Sequence, residues 1–375
     1  MPLHVRSQPA GLRIARLVGR SVLNITAILL ALYFGLAIFY WLSWPVWLRQ
    51  VGAVLFPAII GLLWFVPIHR FWPTQRVWPI QRVWPIQGVW PKFGPLRQPA
   101  DRRLAQRCVA ALLLAVIATA YMTKTPVEQD WVPLMGRHAT ANIDGDIVTL
   151  SNYRDALHRT GQPSIPAWTT ARFDLSQLDG ADLVIQPFGT SKATAHILLS
   201  FHFADGRHIV VSMKSRQAQG KSFDAVAGFF RHDQLYPELA TERDLFWERL
   251  SRTPPDNLQI YPIRQSPETL RAYFRRILAF TNDISTQPKF YSTLDESCMT
   301  AFINLAPESF ASVPVYDVRR WIPGYSLSLF QQLGLVDNSR SAAELERLHT
   351  LRTGLRPPSD FPSDAAWSAY IRSEQ

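Results

Sequence analysis

Cysteine is nearly absent from this chain: its 375 residues hold two, Cys108 inside an apolar run and Cys298 far downstream. Settings so different make a disulfide framework implausible and leave Cys298 a free thiol. Also missing are any His/Cys/Asp/Glu set with metal-ligand spacing and any glycine-rich loop that could cradle phosphate. No metal and no cofactor is therefore expected. Acidic residues are almost lacking before position 123, where Asp101 stands alone against 13 Lys/Arg, whereas residues 123–375 hold 26 Lys/Arg and 28 Asp/Glu. The net charge of +10 thus comes from the N-terminal third. The downstream part has no basic footprint of the kind nucleic acid requires, so no nucleic-acid partner is expected.

What fills the N-terminal third is apolar sequence. Three runs, about 21–44, 51–68 and 104–122, are long enough to cross a hydrocarbon layer of about 30 Å. The first is too long, and lacks a small-residue cleavage site, to be a removed signal peptide. Arg6, Arg13, Arg16 and Arg20 precede it, and Arg70, Arg76, Arg82, Lys92, Arg97, Arg102 and Arg103 lie between the second and third runs. Loops rich in Lys/Arg stay cytoplasmic, so the N-terminus and the 69–103 loop are expected inside and everything after about Lys124 outside. That loop carries a six-residue repeat, beginning at Arg70, Arg76 and Arg82 and shortened at Gly88, with a Trp-Pro pair in each unit. Proline every sixth residue forbids a regular helix. Tryptophan with arginine suits a lipid-facing belt at the headgroups; a duplicated linker without a role is the alternative.

The expected organisation is an all-α membrane region over 1–123, a domain over 136–335 and a loosely attached tail over 336–375. Within the domain, Ala195–Phe203 and His208–Met213 are β-rich runs joined through Asp205-Gly206, a strong hairpin signal. Asp233–Leu250 reads as helix, Leu258–Ile263 as strand, and Ser266-Pro267 as the capped start of a second helix. Cys298–Leu305 reads as the first turns of a third, with Ser297 as its cap. A cysteine in a first helical turn gains from free N–H groups and the helix dipole, which favour the thiolate nucleophile. A buried, inert, small hydrophobe is the competing reading. The base it would need is not chosen by spacing among His138, His158, His196, His202, His208, His232 and His349. His202 and His208 read as cross-strand polar residues, and Glu242-Arg243-Asp244 as an ion-pair and capping feature.

From Ala195 to Leu305 the chain resembles the Lnb N-terminal periplasmic domain family of bacteria. The matching blocks are His196–Phe201 with Asp205-Gly206 and Val211-Ser212, then Thr241–Asp244, Tyr261-Pro262, and Pro288–Leu294 leading to Cys298. The resemblance implies an α+β, permuted papain-like (NlpC-like) domain with an antiparallel sheet, in which the histidine strand precedes the cysteine helix. It further implies Cys298 as nucleophile and His196 as base, within about 4 Å of each other. It also implies acyl transfer at the outer face of the bacterial inner membrane, from a membrane lipid to a lipoprotein amino terminus. The same pair would serve a peptidase or amidase acting on cell-wall peptide, and loss of the chemistry would leave a membrane scaffold. Two positions depart from the family pattern. Glu296-Ser297 stand where relatives carry asparagines, and Lys214 stands where they carry a glutamate. With a strict two-residue turn, position 196 opposes Ser215, so Lys214 points elsewhere unless a bulge intervenes.

Overall fold

The computed structural model describes residues 10–67, 99–308, 310 and 312–374, so the Trp-Pro repeat and Arg6 lie outside the described residues. The chain divides into two compact units, Met1–Lys124 and Thr125–Gln375.

In the first unit, three helices are long and apolar enough to cross a membrane: α1 (Ala10–Trp41), α2 (Val46–Phe65) and α3 (Pro99–Met122). The first ends at Trp41 rather than 44, because Pro45 disfavours helical backbone at the residue before it. The second then starts at Val46, directly after that proline, and not at 51. Two polar pairs tie the helices together: Trp64 Nε1 donates to Asn24 Oδ1 at 2.9 Å, and the Tyr33 and Tyr121 hydroxyls meet at 2.9 Å. A Cβ at Gly35 would lie 2.7 Å from the Ala53 carbonyl oxygen, so glycine there lets α1 and α2 close up. Outward side chains such as Leu29, Val54, Leu112 and Val116 stay exposed, a surface matched to lipid rather than water.

The second unit is α+β. Its sheet runs β1 (Thr140–Asp144), β2 (Ile147–Arg154), β7 (Gln234–Thr241), β6 (His208–Arg216), β5 (Ala195–Phe203), β4 (Leu178–Pro187), β8 (Gln259–Pro262), with β3 (Trp168–Asp174) also paired to β2. Every pairing is antiparallel except β2 with β7, which meet at Arg154 and Ala240. Both faces of the central strands β7, β6, β5 and β4 are covered. Leu199, Phe201, Val211 and Met213 pack with α5 (Pro267–Thr286), α6 (Thr300–Leu305) and α7 (Ser326–Gln332). Leu198, Val210 and Ala240 pack against α4 (Glu242–Leu250) and α9 (Asp364–Ser373). As expected, Ser266 caps α5, its Oγ accepting from the Thr269 N–H at 3.2 Å.

Three expectations are corrected. The expected helix over Asp233–Leu250 is a strand followed by a helix: all eight residues of β7 are buried, and Thr241 caps α4 by accepting the Asp244 N–H. A strand covered on both faces shows no alternation, so its apolar residues ran together with those of the helix. The hairpin loop has three residues, Ala204–Gly206, closed by a bond from the Phe203 N–H to the Arg207 carbonyl at 3.0 Å, with Gly206 at φ +82°. The left-handed glycine after a turn is the usual bulged closure, and it shifts the register by one.

The third correction concerns residues 336–375, which are not a loose tail. They form α8 (Ala342–His349) and α9, with Trp367 and Ile371 fully buried and Arg372 Nη2 bonding Asp182 at 2.6 Å and Glu242 at 2.7 Å. The Pro357-Pro358 pair and scattered charges concealed a short amphipathic helix whose apolar stripe is just these few residues. Trp367→Ala is expected to cost about 3–5 kcal/mol, as for other buried tryptophans. Thermal unfolding of the second unit in the full chain will measure it; a loss under about 1 kcal/mol would mean α9 is dispensable.

Candidate active site

Strands β5 and β6 part at one end of the sheet. Their ladder ends at the Leu198–Ser212 pair, while β6 continues to pair with β7 as far as Arg216. Next to the wedge so opened, the N–H of Ile197 acts on the Cys298 thiol in favour of its charged form. The sulfur is buried in the α5–α6 core beside Met299 and Phe302. Burial pushes its thiol up to about 11; the N–H groups of Ile197 and of Cys298 itself pull the other way and do not win. The resting group is a neutral thiol. Glu296 plays no part in this, since its carboxylate lies 3.8 Å from the Lys289 ammonium.

The cysteine is not in the first turn of its helix. Thr300 opens α6, and Ser297 Oγ accepts the N–H groups of Met299 (3.3 Å) and Thr300 (3.2 Å), which sets Cys298 at the bend ahead of it. A six-residue helix reached across such a bend lends little dipole to the thiol.

His196 is the residue next to Ile197, yet its ring projects from the opposite face of the sheet. Its Nε2 lies 2.8 Å from Ser212 Oγ, on the α4 side, and among the described residues no hydrogen bond joins it to Cys298. Strand alternation is the reason: Ile197 points into the α5 core, so its neighbour points away from it. Burial holds the imidazole well below its ordinary range, helped by the nearby charges of Arg249 and Lys214 and opposed by Glu248. It is therefore neutral near pH 7. The three-residue hairpin loop places position 214, not 215, opposite His196, so Lys214 shares its face. There Lys214 Nζ lies 2.7 Å from Glu238 Oε2. Lys214 thus faces a glutamate on the next strand.

Around these residues lies a buried charge cluster that the sequence did not reveal. Arg154, 1% exposed, bonds Glu238 at 2.5 Å, Asp244 at 2.7 and 2.8 Å, and Glu248 at 2.8 Å. His158 Nε2 meets Asp244 at 2.7 Å, and Arg249 Nε donates to Gln186 at 2.6 Å. The ligand atoms of His158, Asp244 and Glu248 lie within 4.8 Å of one another, as in a metal site, but the guanidinium of Arg154 already supplies the positive charge there. About 90 residues separate Arg154 from its partners on α4, so no local spacing could have linked them. Glu242-Arg243-Asp244 do act in ion pairs and a cap, with Arg243 paired to Asp155. His202 and His208 are cross-strand neighbours, as read from the sequence.

Fold and site together define a membrane protein: an α+β domain that follows three membrane-spanning-type helices and carries one thiol at the mouth of its sheet. Residues 164–324, which include both His196 and Cys298, match the family model of the Lnb N-terminal periplasmic domain. No curated protein and no solved structure matches the chain.

Removing Arg154 takes the shared guanidinium from Glu238, Asp244 and Glu248, leaving Asp244 only the His158 ring as a side-chain ionic partner. Arg154→Met is expected to cost about 3–5 kcal/mol at pH 7. In the wild type, Asp244 and Glu248 are buried, which favours protonation, but Arg154 overrides this and holds both below the ordinary carboxylate range. Their contribution is present above that range and is lost as pH falls through the depressed values. In the variant the same groups titrate above their unfolded values, so acidifying from pH 7 to pH 5 should narrow the deficit. Thermal unfolding at both pH values checks this; a deficit that widens on acidification would contradict it.

Proposed function

We propose that this protein is a bacterial inner-membrane thiol acyltransferase or hydrolase, with its N-terminus cytoplasmic and its α+β domain in the periplasm. Cys298 is the nucleophile and His196 the base. The observation that carries this reading is the end of the β5–β6 ladder at Leu198, one residue short of Ile197, whose N–H favours the charged form of the Cys298 thiol. It supports a thiol held beside the one residue whose neighbour is the candidate base, with N–H donors already aimed at negative charge. In the reaction, His196 takes the thiol proton, the sulfur adds to a substrate carbonyl, and the leaving alcohol or amine takes that proton back. The resulting thioester then passes its acyl group to an amine or to water. Because the resting thiol is neutral and the imidazole is engaged with Ser212, the step requires the ring to leave Ser212 and reach the sulfur through the wedge. The three spans favour an acyl donor drawn from membrane lipid, and a lipoprotein amino terminus suits the acceptor. Cell-wall peptide is the other substrate for the same pair.

A second reading has its own support. The opposite-face placement of His196 and the raised Cys298 thiol fit a membrane scaffold that has kept the fold and lost the chemistry.

The two are separated by incubating the full chain in phospholipid bilayers, quenching in acid and weighing the Cys298 peptide. A fatty-acyl mass that hydroxylamine removes, and that falls at least tenfold in His196→Ala, is expected. A peptidyl mass on exposure to cell-wall peptide would redirect the substrate assignment. An unmodified Cys298 under both conditions would support the scaffold.

A further inference from the structure

Six exposed apolar side chains of the second unit lie on three linked loops, while others, among them Leu157, Ile165 and Phe188, stand on other segments. Phe223 and Val226 stand on one loop, Leu294 on a second, and Val315, Tyr316 and Val318 on a third. Hydrogen bonds join the three loops into one surface. The Thr293 N–H donates to the Gly228 carbonyl at 3.1 Å and its Oγ1 to the Ala225 carbonyl at 3.0 Å, while Trp321 Nε1 donates to the Leu294 carbonyl at 2.9 Å. Val315 is 75% exposed, Tyr316 82% and Val318 60%, more than isolated surface hydrophobics need explain.

The same surface adjoins the point where the chain enters this unit. Trp131 bridges to Ala218, the Val132 N–H donates to the Gln217 carbonyl at 3.0 Å, and the Gln219 N–H to the Asp130 carbonyl at 2.7 Å. Five residues after Ala218 comes Phe223. From the end of α3 at Met122 to Trp131 the chain spans at most roughly 30 Å, so this loop is leashed close to a bilayer if α3 crosses it. Of the neighbouring charges, Arg319 pairs with Asp317 at 2.6 Å and Lys289 with Glu296 at 3.8 Å, while Lys221 and Arg320 meet the neutral side chains of Gln129 and Asn304, so the surface offers apolar contact beside two cations.

We propose that the surface formed by the loops around Phe223, Leu294 and Tyr316 docks on the lipid bilayer, its aromatic and aliphatic side chains entering the headgroup region. Leu294 lies four residues before Cys298, so docking would also bring the wedge to the lipid surface. The proposal does not depend on Cys298 being reactive.

The test uses the full chain in nanodiscs of phosphatidylcholine containing a phosphatidylcholine with a photoreactive group near its headgroup. After illumination and digestion, lipid adducts are expected on peptides covering 223–229 and 315–321, and not on the Asp205–Arg207 turn at the other end of β5. The triple variant Val315→Ser, Tyr316→Ser, Val318→Ser should lose at least fivefold of the 315–321 adduct while adducts on the spans persist. If that variant unfolds, Tyr316→Ser alone makes the comparison. Adducts confined to the spans would overturn the proposal. So would lipid-free loops accompanied by Lys221 or Lys289 cross-links between two copies, which would mark the surface as a self-association face.

Discussion

A sheet covered on both sides constrains everything else in the second unit. Side chains along β5 must alternate between the α5–α6 core and the α4–α9 layer, so Ile197 goes to one and His196 to the other. Where the central strands exclude water from both faces, a charge has to find a partner inside, and Arg154, Lys214, Glu238, Asp244 and Glu248 form that partnership. The C-terminal helix serves the same end: Trp367 and Ile371 join Leu245 and Phe246 of α4 in covering Leu198 and Val210.

The one break in this regular arrangement is the wedge between β5 and β6. A ladder N–H that loses its strand partner is costly when buried, and that of Ile197 acts on the Cys298 thiol instead. That is a structural explanation of why a thiol sits there, and it is also the geometry on which acyl-transfer chemistry could be built. Burial keeps the thiol protonated in the resting state, so reactivity would have to come with an opening of the wedge. The apolar loops next to it belong to the surface proposed to meet lipid.

Much of this was legible in the sequence where local chemistry dominates. The charge-free runs marked the three apolar helices, Ser266-Pro267 marked the start of α5, and Asp205-Gly206 marked the hairpin. Failures arose where a distant partner decides the outcome. The register of His196 against Lys214 hung on one extra loop residue. The strand character of Gln234–Thr241 was hidden by burial on both faces. Arg154 gave no signal because its carboxylates lie on β7 and α4. The family resemblance correctly marked the segment with His196 and Cys298 but did not carry the information that the sheet backbone stands between their side chains.

The resting Cys298 thiol is controlled by burial and not by His196. Titration of its thiolate by ultraviolet absorbance, wild type against His196→Ala with Cys298→Ala as blank, tests it directly. A midpoint at about 11 that the histidine substitution leaves in place is expected. A midpoint below the ordinary thiol value of 9.0 that rises when His196 is removed would reveal a preformed thiolate–imidazolium pair and contradict it.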